Sequence, residues 1–528
     1  MSIPQIAGSF LQNYLHMKKL LLIAGVLCSV ITNAQKKNTP PFFAATITAE
    51  DLKKHLYVIA SKEMEGRDTP SPGLEKAADY IENHFKSLGL LPGNGDSYRQ
   101  RYPIYKDSMA STSLKVNGVS FELTKDFQPN LNINHTAEMR FAEVVFAGYG
   151  IVDGDINAYK DVDIAGKVVL ILDGAPDGYK PSVIGFGSPA SSFNKISKAQ
   201  QKGALAVLFI YGNYPRTTFT GTSSYQLNSY AKSLYPETFS VSEKIAEKIM
   251  GEDGKGVIQR MKKDPLPSKI YPAEVDLSFF KTTKTTYASN VMARLEGTDK
   301  KDEYVFLTAH YDHVGKRNDT TIFYGADDDG SGTVSILELA EAYAKAKAAG
   351  KGPRRTIIFM TVSGEEKGLW GSEYYGNHPV YPLEKTSVDL NIDMVGRIGT
   401  DYLKDKDSTN YIYVIGDDKL SSDLTPITEQ INGKNTKLKL DRKYNDPNDP
   451  NRFYFRSDHY NFAERGVPVI FYFNGTHADY HRHTDTQDKI NYTLMSKRAQ
   501  LVFLTAWEMA NRNDMLKRDL KLEKPKGF

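Results

Sequence analysis

The chain has 528 residues, 40% of them hydrophobic and 25% charged, which is ordinary for a globular protein and enough for more than one domain. Its 67 basic and 64 acidic residues balance to +3, too even for binding nucleic acid through bulk charge. A single cysteine, Cys28, excludes a disulfide framework. At the N-terminus, Met17-Lys18-Lys19 precedes the apolar run Leu20 to Ile31, and Thr32-Asn33-Ala34 supplies small residues for cleavage. This pattern predicts an export signal over residues 1–34, with Met17 a candidate true start. The run is too short to span a bilayer comfortably, so no stable membrane insertion is expected. Cys28 lies within the run, behind Leu27 rather than behind the small residue that lipidation requires. The mature chain is therefore expected to lack cysteine and any thiol nucleophile. Export without disulfides fits a bacterial periplasm or the extracellular medium.

Residues 46–124 open with helical periodicity over Ala49–Ser61 and Gly73–Gly89, separated by the turn Met64-Glu65-Gly66-Arg67-Asp68-Thr69-Pro70. Residues 125–285 change character. Apolar runs at Val144–Phe146, Gly166–Asp173 and Ala204–Ile210, with a helix predicted from Ser191 to Lys202, read as a small separate β-rich domain. From about residue 286 to 515 strands are predicted at 303–309, 356–362, 389–395, 411–415 and 468–473. Helices are predicted at 331–348, 418–432 and 493–511. Strands alternating with helices predict an α/β class: a three-layer domain with a mixed, largely parallel sheet, interrupted by the β-rich insertion. Residues 516–528 read as a Lys-rich solvated tail.

Chemistry-bearing residues gather in the second part of this domain. They stand in His310-Tyr311-Asp312, Asp327-Asp328-Asp329-Gly330-Ser331-Gly332, Glu365-Glu366, Asp393 and His481. Each has a commonplace reading alone: a surface pair, a capped turn, a helix surface. Asp393 is the most unusual, because it interrupts the apolar run Leu390–Val395 and a buried carboxylate needs a partner or a cation. Their joint occurrence at strand-like ends predicts convergence at one sheet edge. Imidazoles with carboxylates suit zinc, and two ions sharing a water would supply a nucleophile at neutral pH. Asp312 stands two residues from His310, on the same side of an extended chain, and is placed to accept its second ring nitrogen. Of Glu365 and Glu366, adjacent residues point apart, so one can ligate while the other serves the water.

With these residues in view, the chain resembles the co-catalytic zinc aminopeptidases, including bacterial secreted leucyl aminopeptidases and the fungal vacuolar aminopeptidase Y. The resembling segments are Thr308–Gly315, Gly325–Gly332, Ser363–Ser372, Asn391–Met394 and Ser457-Asp458-His459. The resemblance implies that Asp328 bridges two zinc ions, that His310 and Asp393 complete one and that Glu366 and His481 complete the other. It implies that Glu365 is the general base and Glu366 the ligand. Beside this, Asp312 is a candidate catalytic residue through its place next to His310, and His459 is a candidate oxyanion or substrate contact. The family interval from the last ligand His to Asp-Thr selects His481 with Asp485-Thr486; His483 stands where the family often has Pro. Similar Glu-Gly-Arg turns open the peptidase domain in the relatives, and residues 125–285 resemble the protease-associated domain inserted in many of them, a lid or a stabilising appendage. The expectation is an exported metallo-aminopeptidase acting on peptides. Glutaminyl cyclase, carboxypeptidase or dipeptidase activity on the same fold, or a non-catalytic peptidase-like binding protein, stand as alternatives.

Overall fold

The computed structural model describes residues 39–522 except 217, 229, 231 and 232. The export-signal reading, Cys28 and the last residues of the tail lie outside the described residues. No helix among them is long and apolar enough to cross a membrane.

The chain divides into two compact units, Pro103–Thr286 and the remainder. In the larger unit the sheet runs in the order 291–295 (the end of the strand Val275–Leu295), Arg355–Val362, Lys300–His310, Thr386–Ile392, Val469–Phe473, Tyr411–Ile415, Lys439–Asp441. The strands Arg355–Val362, Lys300–His310, Thr386–Ile392 and Val469–Phe473 are mutually parallel. Antiparallel pairing of Val275–Leu295 and of Tyr411–Ile415 flanks them.

Strand parity builds the layers. Val305, Leu307, Ala309, Ile357 and Phe359 face one core, shared with the helices Ala49–Ile59, Pro72–Ser87, Gly332–Ala348 and Tyr492–Asn511. Phe306, Ile358, Met360 and Val362 face the other, shared with Trp370–Asn377 and His459–Ala463. Gly332–Ala348 is apolar nearly all round, and it is buried along most of its length for that reason. The result is the three-layer α/β domain with a mixed, largely parallel sheet.

Three boundaries differ from the periodicity. The strand expected at 389–395 is Thr386–Ile392, because Met394 takes a left-handed φ of 64° and ends the extended run just after Asp393. The helix expected at 418–432 starts at Leu424, since a turn occupies the preceding residues and Leu420 has a φ of 62°. The start of the tail is anchored: Leu516 is buried in the first core, and Arg518 donates to the carbonyls of Leu383 and Thr386.

The smaller unit has its own sheet, ordered Lys269–Tyr271, Val144–Phe146, Val168–Leu172, Ala206–Ile210, Glu237–Val241, Phe127–Pro129. Its central strands are parallel, with the helix Ser192–Gln201 crossing between Val168–Leu172 and Ala206–Ile210. The unit begins at Pro103. Within it, the 105–108 segment of the long strand Arg99–Val116 pairs with Thr222–Gln226.

Candidate metal centre

Parallel strands in one sheet end at one edge, and that is where the polar residues collect. His310 is the last residue of Lys300–His310, Asp393 directly follows Thr386–Ile392, and Glu365 follows Arg355–Val362 after Ser363-Gly364. The register pairs Thr308 with Asn391, so His310 and Asp393, two residues further on each strand, emerge side by side on one face. His310 Nε2 lies 3.6 Å from Asp393 Oδ1 and 3.9 Å from Glu365 Oε2.

Asp328 joins this group from the turn Ala326–Ser331, which precedes Gly332–Ala348. Its Oδ1 lies 3.4 Å from His310 Nε2, and its Oδ2 lies 3.0 Å from His481 Nε2. His481 Nε2 is also 3.1 Å from Glu366 Oε2. The two oxygens of one carboxylate thus face two imidazole–carboxylate groups. Gly325, at φ 57°, makes this turn passable: a Cβ there would sit 2.3 Å from the Asp328 carbonyl oxygen and 2.5 Å from the His313 ring.

The electrostatics are those of a carboxylate-rich, buried pocket. Burial opposes charge on His310, yet Glu365, Asp312, Asp328 and Asp393 hold its pKa well above the usual value. His481 is likewise pushed up to about 10, against burial, by Asp328 and Glu366. Burial pushes Glu365 well above the ordinary carboxylate range, with Glu366, Asp393 and Asp458 adding to it and His310 opposing. Carboxylates gathered this tightly call for positive charge.

Residues 290–506 match the model of Peptidase family M28. The chain carries a peptidase family M28 domain. It is 26% identical over 417 residues to "Probable leucine aminopeptidase 2" of Aspergillus fumigatus, covering 76% of this chain and 67% of that protein. It is 27% identical over 261 residues to a "Probable zinc metalloprotease" of Pyrenophora tritici-repentis, covering 42% of this chain and 51% of the relative. The chain thus spans about half the length of several curated relatives it matches. Among solved structures it is similar in fold to the aminopeptidase from Aneurinibacillus sp. strain AM-1, with a TM-score of 0.53 at 18% identity over 92% of this chain and 100% of that one.

Several residues beyond those given roles from the sequence hold the centre in shape. Arg67, in the Glu-Gly-Arg turn, is fully buried and donates to the carbonyls of Ile59 (2.8 Å), Tyr311 (2.7 Å), Tyr324 (2.8 Å) and Gly325 (2.9 Å). It ties the His310 loop to the Asp328 loop. Burial lowers its pKa to about 10, with Asp312, Asp329, Asp328 and Asp485 opposing. Arg67→Met would leave those carbonyls unpaired, and we expect a loss of ~3 kcal/mol in unfolding free energy, read by urea denaturation. Thr69 Oγ1 donates to Asp312 Oδ2 (3.2 Å) and accepts from the Gly364 N–H (3.1 Å). Asp485 Oδ2 accepts from the N–H groups of Asp327 (2.9 Å) and Asp328 (3.2 Å), and Asp329 accepts from those of His310, Gly332 and Met394.

Asp312 differs from expectation in detail. His310 Nδ1 lies nearer the Asp312 main-chain carbonyl (3.2 Å) than the Asp312 carboxylate (3.7 Å). That carboxylate instead accepts from the Glu365 N–H at 3.2 Å, because the chain turns directly after the strand ends. His459 is not brought to the cleft. It is fully buried in the aromatic layer, stacked on Phe471 at 4.8 Å between ring centroids, and burial lowers its pKa to about 3. The cleft is lined by Asp328, Glu365 and Asp393 together with Arg456 and Tyr480. Tyr480 stacks on His481 at 4.0 Å and accepts from Arg456 Nη2 at 3.3 Å. His483 is exposed, its ring edge-on to Phe323. A further imidazole, His313, lies 2.8 Å from Glu366 Oε1 through its Nδ1. It stands three residues beyond His310, where the chain has left the strand and alternation no longer says which way it points.

Proposed function

We propose that the M28 domain is a zinc-dependent exopeptidase, an aminopeptidase that releases N-terminal residues from peptides. The observation that carries this reading is Asp328, whose two oxygens face His310 with Asp393 on one side and His481 with Glu366 on the other. The residues fit zinc. His310 Nε2, Asp328 Oδ2 and Glu366 Oε1 are buried without a hydrogen bond, although oppositely charged groups stand close by. Lone pairs that converge without shared hydrogens are the arrangement a cation completes. In this reading Asp328 would be shared by two zinc ions, His310 and Asp393 would hold one, and Glu366 and His481 would hold the other.

Bound there, the ions would supply an activated water and polarise the scissile carbonyl. Glu365 would accept a proton from the attacking water and return it to the leaving amine. Its buried, carboxylate-rich surroundings favour the protonated form and so make it a stronger base. Asp312, through the Glu365 N–H, fixes where that side chain starts. Tyr480, on the cleft wall, is the hydroxyl available to a developing oxyanion, in place of His459. The names of the relatives, a leucine aminopeptidase and a zinc metalloprotease, support the reaction class. The apolar segment after Met17-Lys18-Lys19 supports export, and the likeness of the inserted unit to a protease-associated domain remains a reading of its sequence.

The direct test is a panel of peptides with free and blocked N-termini, including N-terminal Gln, with and without zinc. We expect zinc-dependent release of single residues from free N-termini only. Cyclisation of N-terminal Gln without hydrolysis, or cleavage from the C-terminus, would replace this reading. The choice of imidazole has its own test. His481→Ala is expected to lose zinc and activity together, whereas His483→Ala keeps its zinc and alters KM at most. A zinc-depleted His313→Ala beside a zinc-replete His481→Ala would move the ligand to His313.

A further inference from the structure

A second cluster of metal-ligating side chains lies among the helices, away from the sheet edge. Ala49–Ile59 contributes His55, Pro72–Ser87 contributes His84 and Tyr80, and Gly332–Ala348 contributes Glu338 and Glu341. Helical spacing puts Glu338 and Glu341 on one face, and Tyr80 and His84 on another. One donor atom each from His55, His84 and Glu341 fall within 4.8 Å of one another. His55 Nε2 is 3.4 Å from Glu338 Oε1. Zinc bonds of about 2.0–2.1 Å in a tetrahedron separate donor atoms by roughly 3.3–3.4 Å.

The simpler account is an ion pair between His55 and Glu338, extended by the 2.7 Å contact of His55 Nδ1 with Tyr80 Oη. It leaves too much unexplained. His84 Nε2 is buried with no hydrogen-bond partner, and Glu338, only 1% exposed, meets His55 Nε2 at 3.4 Å without a hydrogen bond. One ring nitrogen of His84 lies within the cluster, and its Nε2 is the one left without a partner. Histidine ligands commonly have one nitrogen held by a hydrogen bond and the other free for the cation. His55 has this form, with Nδ1 2.7 Å from Tyr80 Oη and Nε2 facing Glu338. Glu341 gives one oxygen to Lys345 at 2.5 Å and has its second for an ion.

We propose that His55, His84, Glu338 and Glu341 form a structural site for a divalent transition metal, zinc by its nitrogen and oxygen donors, that clamps three helices together. Gly332–Ala348 starts directly after the Asp328 turn, so an ion at Glu338 would hold the helix that carries that turn. The site is independent of the peptidase reading, and its test counts metal rather than turnover. Full-length wild type and His84→Ala are equilibrated with micromolar zinc and assayed for zinc per chain, with circular dichroism to verify folding. We expect one zinc per chain fewer in His84→Ala, whatever the centre around Asp328 holds. We also expect Co2+ to give wild type an additional visible absorption that the variant lacks. If His84→Ala does not fold, Glu341→Gln, at a partly exposed position, carries the same comparison. Equal zinc contents in wild type and a folded variant would overturn the proposal.

Discussion

Glu365→Gln is expected to keep the fold and the bound zinc while turnover falls by ~10²–10⁴-fold or more. The amide is nearly isosteric with the carboxylate, so the cleft formed with Asp328, Asp393 and Tyr480 is retained. What it loses is the ability to accept a proton from water and return it to the leaving amine. The loss therefore falls on kcat, with KM changing little. Steady-state kinetics on a free-amine peptide, alongside zinc analysis of the same preparation, separates this from a trivial loss of metal. Near-normal turnover in a zinc-replete Glu365→Gln protein would remove Glu365 from the role of base.

The second large effect is expected from Asp328→Ala. Its Oδ1 faces the His310 group and its Oδ2 the His481 group, so one substitution strips a donor from both sides. It also removes the negative charge that offsets repulsion between two cations. We expect zinc at this centre to fall by two per chain, with activity lost, while His310→Ala weakens mainly one ion. Two tightly held zinc ions at the centre in Asp328→Ala would rule out the shared carboxylate. Because ligation needs uncharged imidazoles, acid competes with zinc at this centre, and Asp328 and Glu366, which push His481 up to about 10 against burial, strengthen its hold on the proton.

Much of this centre is legible along the chain, and the reason is alternation. Two-residue periodicity places His310 and Asp393 at the ends of buried strands, and parallel pairing brings those ends to one edge. The apolar runs likewise mark the α/β class, since runs buried on both faces alternate with helical stretches. Alternation ceases to inform once the chain leaves the strand. His313 and His481 sit outside the strands, and His481 adopts a left-handed φ of 55°, so neither direction follows from spacing. The tertiary structure alone decides that His481 faces Asp328 and Glu366 while His483 stays exposed against Phe323. It alone puts His459 into the aromatic layer and Tyr480 at the cleft. Arg67 is the clearest case. A buried arginine whose partners are main-chain carbonyls leaves no complementary charge in the sequence, because a carbonyl is the same at every residue; only the folded backbone shows that Ile59, Tyr311, Tyr324 and Gly325 converge on it.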